Sequence, residues 1–237
     1  MNKKTFSIER FKLLSGSSLK LIAVVTMLID HFADVFRDDI AFLTLPLFGT
    51  SFTIYYILRK IGRLAFPIFC FLIAEGFIHT KDRKKYGLNL LIFALISEIP
   101  FDLCFFGSPF HLSYQNVYFT LFLGFLVLCI LEYVKNDLLK LVLSIITALT
   151  ANFFNTDYGI LGVLLIVMIY CLREQKVIRT LIALPFLSGG LAAWCAFLPI
   201  NMYNEKRGFI KGKVLKYVFY AFYPLHILLL FLIDKIV

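Results

Sequence analysis

The sequence predicts an all-α protein, a polytopic transmembrane bundle of about nine to ten helices. Hydrophobic residues make up 60% of the 237 residues and charged residues only 16%, with a mean hydropathy of +0.86. An ordinary soluble domain is about one quarter charged. A water-soluble fold of this size could not bury so much apolar surface. Apolar runs near the length of about 20 residues that crosses a bilayer also recur along the whole chain.

The apolar runs divide the chain into nine candidate spans. They are Leu19–Phe36, Ile40–Leu58, Leu64–Ile78, Gly87–Phe106, Val117–Val134, Leu138–Phe153, Ile160–Leu172, Val177–Leu198 and Val214–Ile236. The second contains Pro46 and Thr50, so it is either a span or an interfacial, broken segment. No linker separates two units, so we expect a single integral membrane domain over residues 1–237. Residues 1–17 would form a polar cytoplasmic segment.

The basic residues predict orientation and location. The net charge is +9, but Lys and Arg are concentrated in short loops such as 81–85. This pattern is typical of a topological signal and of attraction to anionic lipid headgroups, so we expect no nucleic-acid partner. If Ile40–Leu58 does not span, 15 of the 24 basic residues are cytoplasmic; if it spans, 13 are. Both arrangements predict a multi-pass cell-membrane protein with a cytoplasmic N-terminus. The five cysteines are widely spaced, and we expect no metal site.

The first apolar segment combines a basic residue with an acid and a base. Lys20 and His31 are 11 residues apart, which is about three helical turns, so they share one face. Their backbones would be separated by about 16 Å. Ionisable groups at membrane depth usually mark a functional path, and histidine is the usual general base. Asp30 points about 100° away from His31, so it can support the imidazole, hold another helix, or form an inert hydrated helix end with it.

Arg63 and two pairs of polar residues lie in or beside the third and fourth apolar runs. Arg63 precedes a helix start and suits either an anion clamp or a topological role. Glu75 and His79 share a face at i, i+4, which fits a salt bridge or a catalytic acid. Glu98 and Asp102 flank Pro100, and we expect that proline to break the helix, either at a cavity or at a surface helix end.

The second half of the chain adds four more candidate residues. Asn116 begins the fifth apolar run, and Tyr203 and Asn204 open a basic loop. Pro224 lies inside the last apolar run, where a kink can aim His226 inward. The turn at 155–159 is explained by turn chemistry alone.

A family resemblance rests on several of these motifs in order. They are LKLIAVVTMLIDH, GRLAFPIFCFLIAEGFIHT, NLLIFALISEIPFD, NVYFTLFLG, DYGILGVLL, YNEKRG and KYVFYAFYPLH. Over roughly residues 18–230 the chain resembles the TraX family, whose members are linked to acetylation of the N-terminal amine of conjugative pilin. It also resembles the wider group of transmembrane acyltransferases. In the O-acyltransferases of that group, a basic residue, ten intervening residues and a histidine form a signature, and Lys20 and His31 match that spacing.

The resemblance implies an enzyme and a set of site residues. His31 would be the essential base, with Asp30 orienting or electrostatically supporting it. The other matched positions, expected to bind substrate, are Lys20, Arg63, Glu75, Asn116, Tyr203, Asn204 and His226. Lys20 and Arg63 would steer the anionic donor. Asn116 or a tyrosine would donate to the developing oxyanion.

The expected reaction moves an acyl group, most simply acetyl, from cytoplasmic acyl-CoA to an amine or hydroxyl at the extracytoplasmic side. The partners would be the lipid bilayer, acyl-CoA such as acetyl-CoA, and an acceptor that the sequence does not identify: a protein N-terminus, a glycan or a small molecule. Two alternatives stay open. One is a small-solute or proton-coupled transporter that uses Glu98, Asp102 and His226. The other is a noncatalytic assembly factor for surface structures.

Overall fold

The structure, a computed structural model, describes residues 12–47 and 50–236. Residues 1–11 of the expected polar N-terminal segment therefore lie outside the described part. The helices are α1 Gly16–Val35, α2 Arg37–Ile40, α3 Ile54–Gly62, α4 Ala65–His79, α5 Arg83–Phe106, α6 Val117–Tyr133, α7 Asp137–Phe153, α8 Gly159–Cys171, α9 Lys176–Ile182, α10 Gly190–Trp194, α11 Phe197–Asn201 and α12 Lys213–Asp234. The strands are β1 Thr44–Leu47 and β2 Thr50–Thr53.

The predicted all-α transmembrane bundle is confirmed. Three helical segments are long and apolar enough to cross a membrane, namely Ile54–His79, Arg83–Phe106 and Lys213–Asp234. The first of these joins α3 to α4. Helices α6 and α8 are apolar but shorter. Helix α4 is central, because its buried residues cover most of its circumference and it packs against α1, α6 and α8.

The second candidate span, Ile40–Leu58, does not form one helix. After α2 the chain makes an antiparallel hairpin in which Thr44 pairs with Thr53 and Pro46 with Ser51. Threonine favours strands and proline lacks the N–H that a helix needs. Thr53 then caps α3, because its hydroxyl accepts a hydrogen bond from the Tyr56 amide at 3.1 Å. The alternative of a broken segment is therefore the correct one.

The eighth candidate span, Val177–Leu198, was wrong as a continuous helix. It is divided into α9, a 3-10 turn at Leu184–Phe186, α10 and α11. Pro185 cannot continue a helix, and Gly190 has φ 60°, which glycine adopts without strain. Further along the chain, residues 206–207 lie beside the start of α1. There the Gly16 amide donates a hydrogen bond to the Lys206 carbonyl at 2.8 Å, and the Ser17 amide donates one to the Arg207 carbonyl at 2.9 Å.

The expected helix break at Pro100 was also wrong. Helix α5 continues through Pro100, as α12 continues through Pro224. These two helices pack against each other more extensively than any other pair. Proline costs a helix interior about 3 kcal/mol, and tertiary packing of this extent offsets that cost.

The two ends of the bundle differ in charge. One end, called here the basic end, holds the start of α1, the α4–α5 and α6–α7 connections, the α8–α9 connection and the start of α12. Of the 21 Lys and Arg in the described residues, all but Arg37, Arg59, Lys60, Arg63 and Lys235 lie there. The opposite end, called the acidic end, holds the hairpin, the end of α1 and the end of α12.

A close approach of α3 to α1 requires glycine at position 62. A Cβ atom at Gly62 would overlap the carboxylate of Asp30. We expect Gly62→Ala to destabilise the fold by about 1–3 kcal/mol, the usual cost of overpacking. Thermal unfolding in detergent measures this. Gly16→Ala is the control, since its Cβ would meet only ordinary contacts, the nearest at 3.5 Å. Equal unfolding temperatures for the two variants would contradict the close approach.

Candidate active site

Two histidines meet at the interface of α1 and α12. Nδ1 of His31 lies 2.7 Å from Nε2 of His226. The rings are within 6° of parallel and their centroids are 4.9 Å apart, so they meet through their nitrogen edges rather than face to face. The chain brings them together from positions 195 residues apart. His226 is 5% exposed, whereas His31 is partly exposed.

The second nitrogen of each histidine has a different environment. Nδ1 of His226 lies 2.7 Å from the Phe222 carbonyl oxygen, one helical turn earlier. Nε2 of His31 has no hydrogen-bond partner among the described residues. The His31 ring is held edge-on by Phe105 and Tyr223, with ring centroids at 5.7 and 5.8 Å. The position of His31 is therefore fixed while one nitrogen stays open.

Asp30 contacts α3 rather than His31. Its Oδ2 accepts a hydrogen bond from Arg59 at 2.9 Å, and its carbonyl oxygen accepts another from the same nitrogen at 3.2 Å. Arg59 also pairs with Asp34 at 3.2 Å. The second carboxylate oxygen of Asp30 is buried and has no hydrogen-bond partner in the described part of the chain. Of the roles considered for Asp30, holding another helix fits these contacts. Any effect of Asp30 on His31 is electrostatic and does not involve a hydrogen bond.

Arg63 belongs to a second network, partly buried, at the acidic end. Its guanidinium interacts with the Tyr158 hydroxyl and with the carboxylates of Asp30 and Asp157. The Tyr114 hydroxyl donates to Asp157 at 2.9 Å. Burial raises the pKa of Asp157 to about 6, against the lowering effect of Tyr114 and of Arg63. Arg63 is thus distant from the basic end, and the expectation that it steers the donor beside Lys20 does not fit the structure.

The side chain of Asn116 is committed to the fold. Its amide donates to the Ala94 carbonyl at 2.8 Å and to the carboxylate of Glu98, while its oxygen caps α6 by accepting from the Tyr118 amide at 3.0 Å. It is 0% exposed. The amide has no hydrogen left for an oxyanion, so the expected oxyanion role does not fit Asn116. Glu98 is engaged by the same contact.

A cavity of about 650 Å³ opens at the basic end. Three of the predicted site residues, Lys20, Glu75 and Tyr203, line it. Its other cationic lining residues are Lys81, Arg207 and Lys216. None of these four cations has an ion-pair partner among residues 12–47 and 50–236. Aromatic rings complete the wall, so the cavity combines unpaired positive charge with stacking surfaces.

A smaller cavity of about 230 Å³ adjoins the first and shares Glu75, His79, Tyr203 and Glu205 with it. Glu75 pairs with His79 at 3.3 Å, as the i, i+4 spacing predicts. Burial, aided by the Glu75 carboxylate, raises the pKa of Tyr203 to about 12. Tyr203 therefore stays protonated at neutral pH, and its side chain lines both cavities.

Asn204 lines neither cavity. Its side-chain oxygen accepts a hydrogen bond from the Lys206 backbone amide at 3.0 Å, and its backbone amide donates to the Leu14 carbonyl at 2.8 Å. These contacts form the turn that positions Lys206 and Arg207 beside α1. Asn204 shapes the basic end and does not face a substrate in this structure.

Three tyrosines of α6 and α12 connect the large cavity to the histidine pair. Tyr118 and Tyr220 line the cavity. The Tyr118 ring contacts the Tyr223 ring at 5.3 Å, and Tyr223 contacts both histidines at 5.8 Å. His31 lines neither described cavity and lies about 16 Å along α1 from Lys20. An acyl group bound at the basic end would have to pass these rings to reach His31.

Several site residues were missed from the sequence. The motifs do not point to Arg59, Tyr158, Asp157 or Tyr223. The i, i+4 spacing of Asp30 and Asp34 was a usable signal, since two acids on one apolar helix face need a cation. No sequence pattern identifies the Phe222 carbonyl as a partner of His226.

Comparison with known proteins adds a family. The family described as TraX protein matches residues 15–234. The chain belongs to the TraX family. It is also similar to a probable fimbrial assembly protein FimC, serogroup H1, from Dichelobacter nodosus, with 32% identity over 91% of this chain and 94% of the relative. No solved structure matches. The family assignment agrees with the motifs, and the relative's name concerns fimbrial assembly.

Proposed function

We propose that the protein is a membrane-embedded acyltransferase that moves an acetyl group from cytoplasmic acetyl-CoA to an acceptor at the opposite face. The observation that carries the proposal is that Nε2 of His31 has no hydrogen-bond partner among the described residues. His31 lies on the same helix as Lys20, and Lys20 lines the cavity at the basic end. One helix thus links an anion-attracting cavity to an available base. Family membership supports the same reaction class.

The cavity suits the donor. Coenzyme A carries phosphates and an adenine ring, for which unpaired cations and aromatic rings are the matching groups. The basic end would face the cytoplasm, because positive charge is concentrated there and the positive-inside rule favours that side. In this proposal the chain is multi-pass, with its N-terminus inside and the acidic end outside.

His31 is the general base of the proposed transfer. The acceptor amine or hydroxyl attacks the thioester carbonyl, and its proton passes to Nε2 of His31. The carbon–sulfur bond breaks, and the departing thiolate takes that proton to give free coenzyme A. Base catalysis by a positioned group contributes about 10²–10⁴ in rate. The acceptor to test first is a subunit of a surface fibre, since the relative is named for fimbrial assembly.

A second candidate function is a noncatalytic assembly factor. The name of the Dichelobacter nodosus relative favours it. The transporter alternative has less support, because Glu98 is engaged by Asn116 and Asp102 accepts the His111 amide at 2.7 Å. An assembly factor would bind a fibre subunit without binding acetyl-CoA.

Donor binding separates these functions. We expect the purified protein to bind acetyl-CoA, and Lys20→Met to weaken binding about tenfold, because a charge-assisted hydrogen bond contributes about 1.5–3 kcal/mol. Isothermal titration in detergent at low salt measures the dissociation constant. Lys140→Met is the matched control, a basic-end lysine that pairs with Asp137 outside the cavity. No binding by the wild-type protein, or equal loss in both variants, would contradict the donor site.

A further inference from the structure

We infer that His226 is a positioning residue that fixes the proton of His31 on Nδ1 and so keeps Nε2 of His31 available as a base. The inference deepens the proposed function, since it rests on His31 being the base of that reaction. It is carried by the chain of hydrogen bonds from the Phe222 carbonyl through His226 to His31.

The first step concerns His226. A carbonyl oxygen can only accept a hydrogen bond, so Nδ1 of His226, 2.7 Å from the Phe222 oxygen, must carry the hydrogen. A neutral imidazole has one N–H and one acceptor nitrogen. The Nε2 atom of neutral His226 is therefore an acceptor.

The second step concerns His31. Its Nδ1 lies 2.7 Å from that acceptor, so the one hydrogen between the rings belongs to His31. Neutral His31 is then protonated on Nδ1 and unprotonated on Nε2. The bond made by one ring nitrogen sets the state of the other. Because Nε2 of His31 has no hydrogen-bond partner among the described residues, no protein group in that part of the chain engages its lone pair.

The hydrogen bond between the two histidines changes during turnover. When Nε2 of His31 takes a proton, the Nδ1–H bond to His226 becomes charge-assisted and strengthens. His226 cannot be protonated on Nε2 at the same time, because two N–H groups would then oppose each other. The pair thus holds one transferred proton, and holds it on His31. His226 contributes the orientation that a buried carboxylate provides in a serine-protease triad.

Helix α12 explains why His226 can do this. Pro224 lies within the helix, and the His226 side chain bonds back to the carbonyl of its own preceding turn. The Phe222 ring packs on the His226 ring at 4.7 Å and 18°. This contact and the Tyr223 ring leave His226 little freedom to rotate.

The test compares His226→Leu with His226→Gln. The glutamine side-chain oxygen can accept from Nδ1 of His31 and replace Nε2 of His226, whereas leucine cannot. We expect His226→Leu to lower the turnover number for acetyl transfer about 10- to 100-fold, with an unchanged KM for acetyl-CoA because the cavity is remote. His226→Gln should recover most of the rate. Equal loss in both variants, or full activity of His226→Leu, would overturn the inference.

A spectroscopic measurement decides the tautomer without turnover. The chain has four histidines, and ring-¹⁵N spectra can be assigned with His79→Gln and His111→Gln. Wild-type His31 should show a protonated Nδ1 and an unprotonated Nε2, while His226→Leu should populate both tautomers. A protonated Nε2 in neutral wild-type His31 would overturn the inference. If neither the wild type nor any variant transfers acetyl groups, the proposed function fails, while the spectra still decide the tautomer of His31. If His226→Leu does not fold, the wild-type spectrum and the activity of His226→Gln decide the inference.

Discussion

Replacement of His31 by alanine is expected to abolish detectable acetyl transfer while leaving the protein folded. The loss should be about 10²–10⁴ in turnover number, because the base that accepts the acceptor's proton is removed. Folding should survive, since His31 is partly exposed and, within residues 12–47 and 50–236, its side chain hydrogen-bonds only to His226. Transfer of radiolabelled acetyl groups to fibre subunits in membranes from a deletion strain measures the effect.

The matched control is His111→Ala. This histidine also lies at the acidic end, and its ring packs on Phe106 at 4.0 Å. Its contact with Asp102 uses the backbone amide and survives the substitution. We expect near wild-type transfer by His111→Ala. Comparable transfer by His31→Ala and the wild type would remove His31 from the mechanism.

Replacement of Arg59 by methionine is expected to give the largest loss of stability. The side chains of Arg59 and Asp30 are 18% and 14% exposed, and Arg59 also pairs with Asp34. Removing the cation takes away the ion-pair partner of both carboxylates, and Asp30 then keeps only the nearby charge of Arg63. The free energy of unfolding should fall by about 3 kcal/mol, which thermal or denaturant unfolding in detergent measures.

Lys60→Met provides the control for that loss, because Lys60 is exposed and lies over the Tyr56 ring at 5.0 Å. The double variant Arg59→Met with Asp30→Asn should recover part of the stability, since one uncompensated charge disappears. Should Arg59→Met unfold at the same temperature as Lys60→Met, the ion pair would not be what joins α3 to α1.

The sequence was sufficient for the fold class and for the placement of Lys20 and His31 on one helix. Composition and the length of the apolar runs predict a membrane helix bundle, and the 11-residue spacing predicts that Lys20 and His31 share one face of α1. Both follow from local geometry, which depends on few long-range contacts. The roles of the site residues stay predictions.

The errors came from long-range packing. A proline signal predicts a broken α5 at Pro100, but packing against α12 keeps that helix continuous. The apolar run 177–198 looks like one span, yet Pro185 and Gly190 divide it into short helices. The pairing of His31 with His226 spans 195 residues and depends on how α1 and α12 pack, which no spacing rule predicts.

The most direct test of the acyltransferase proposal uses vesicles that contain the purified protein with its orientation determined by protease protection. Labelled acetyl-CoA is supplied to one face and fibre subunits to the other. Labelled subunits should form only when acetyl-CoA meets the basic end, and none should form with His31→Ala. Label transfer that is independent of the face supplied, or that persists in His31→Ala, would contradict the proposal.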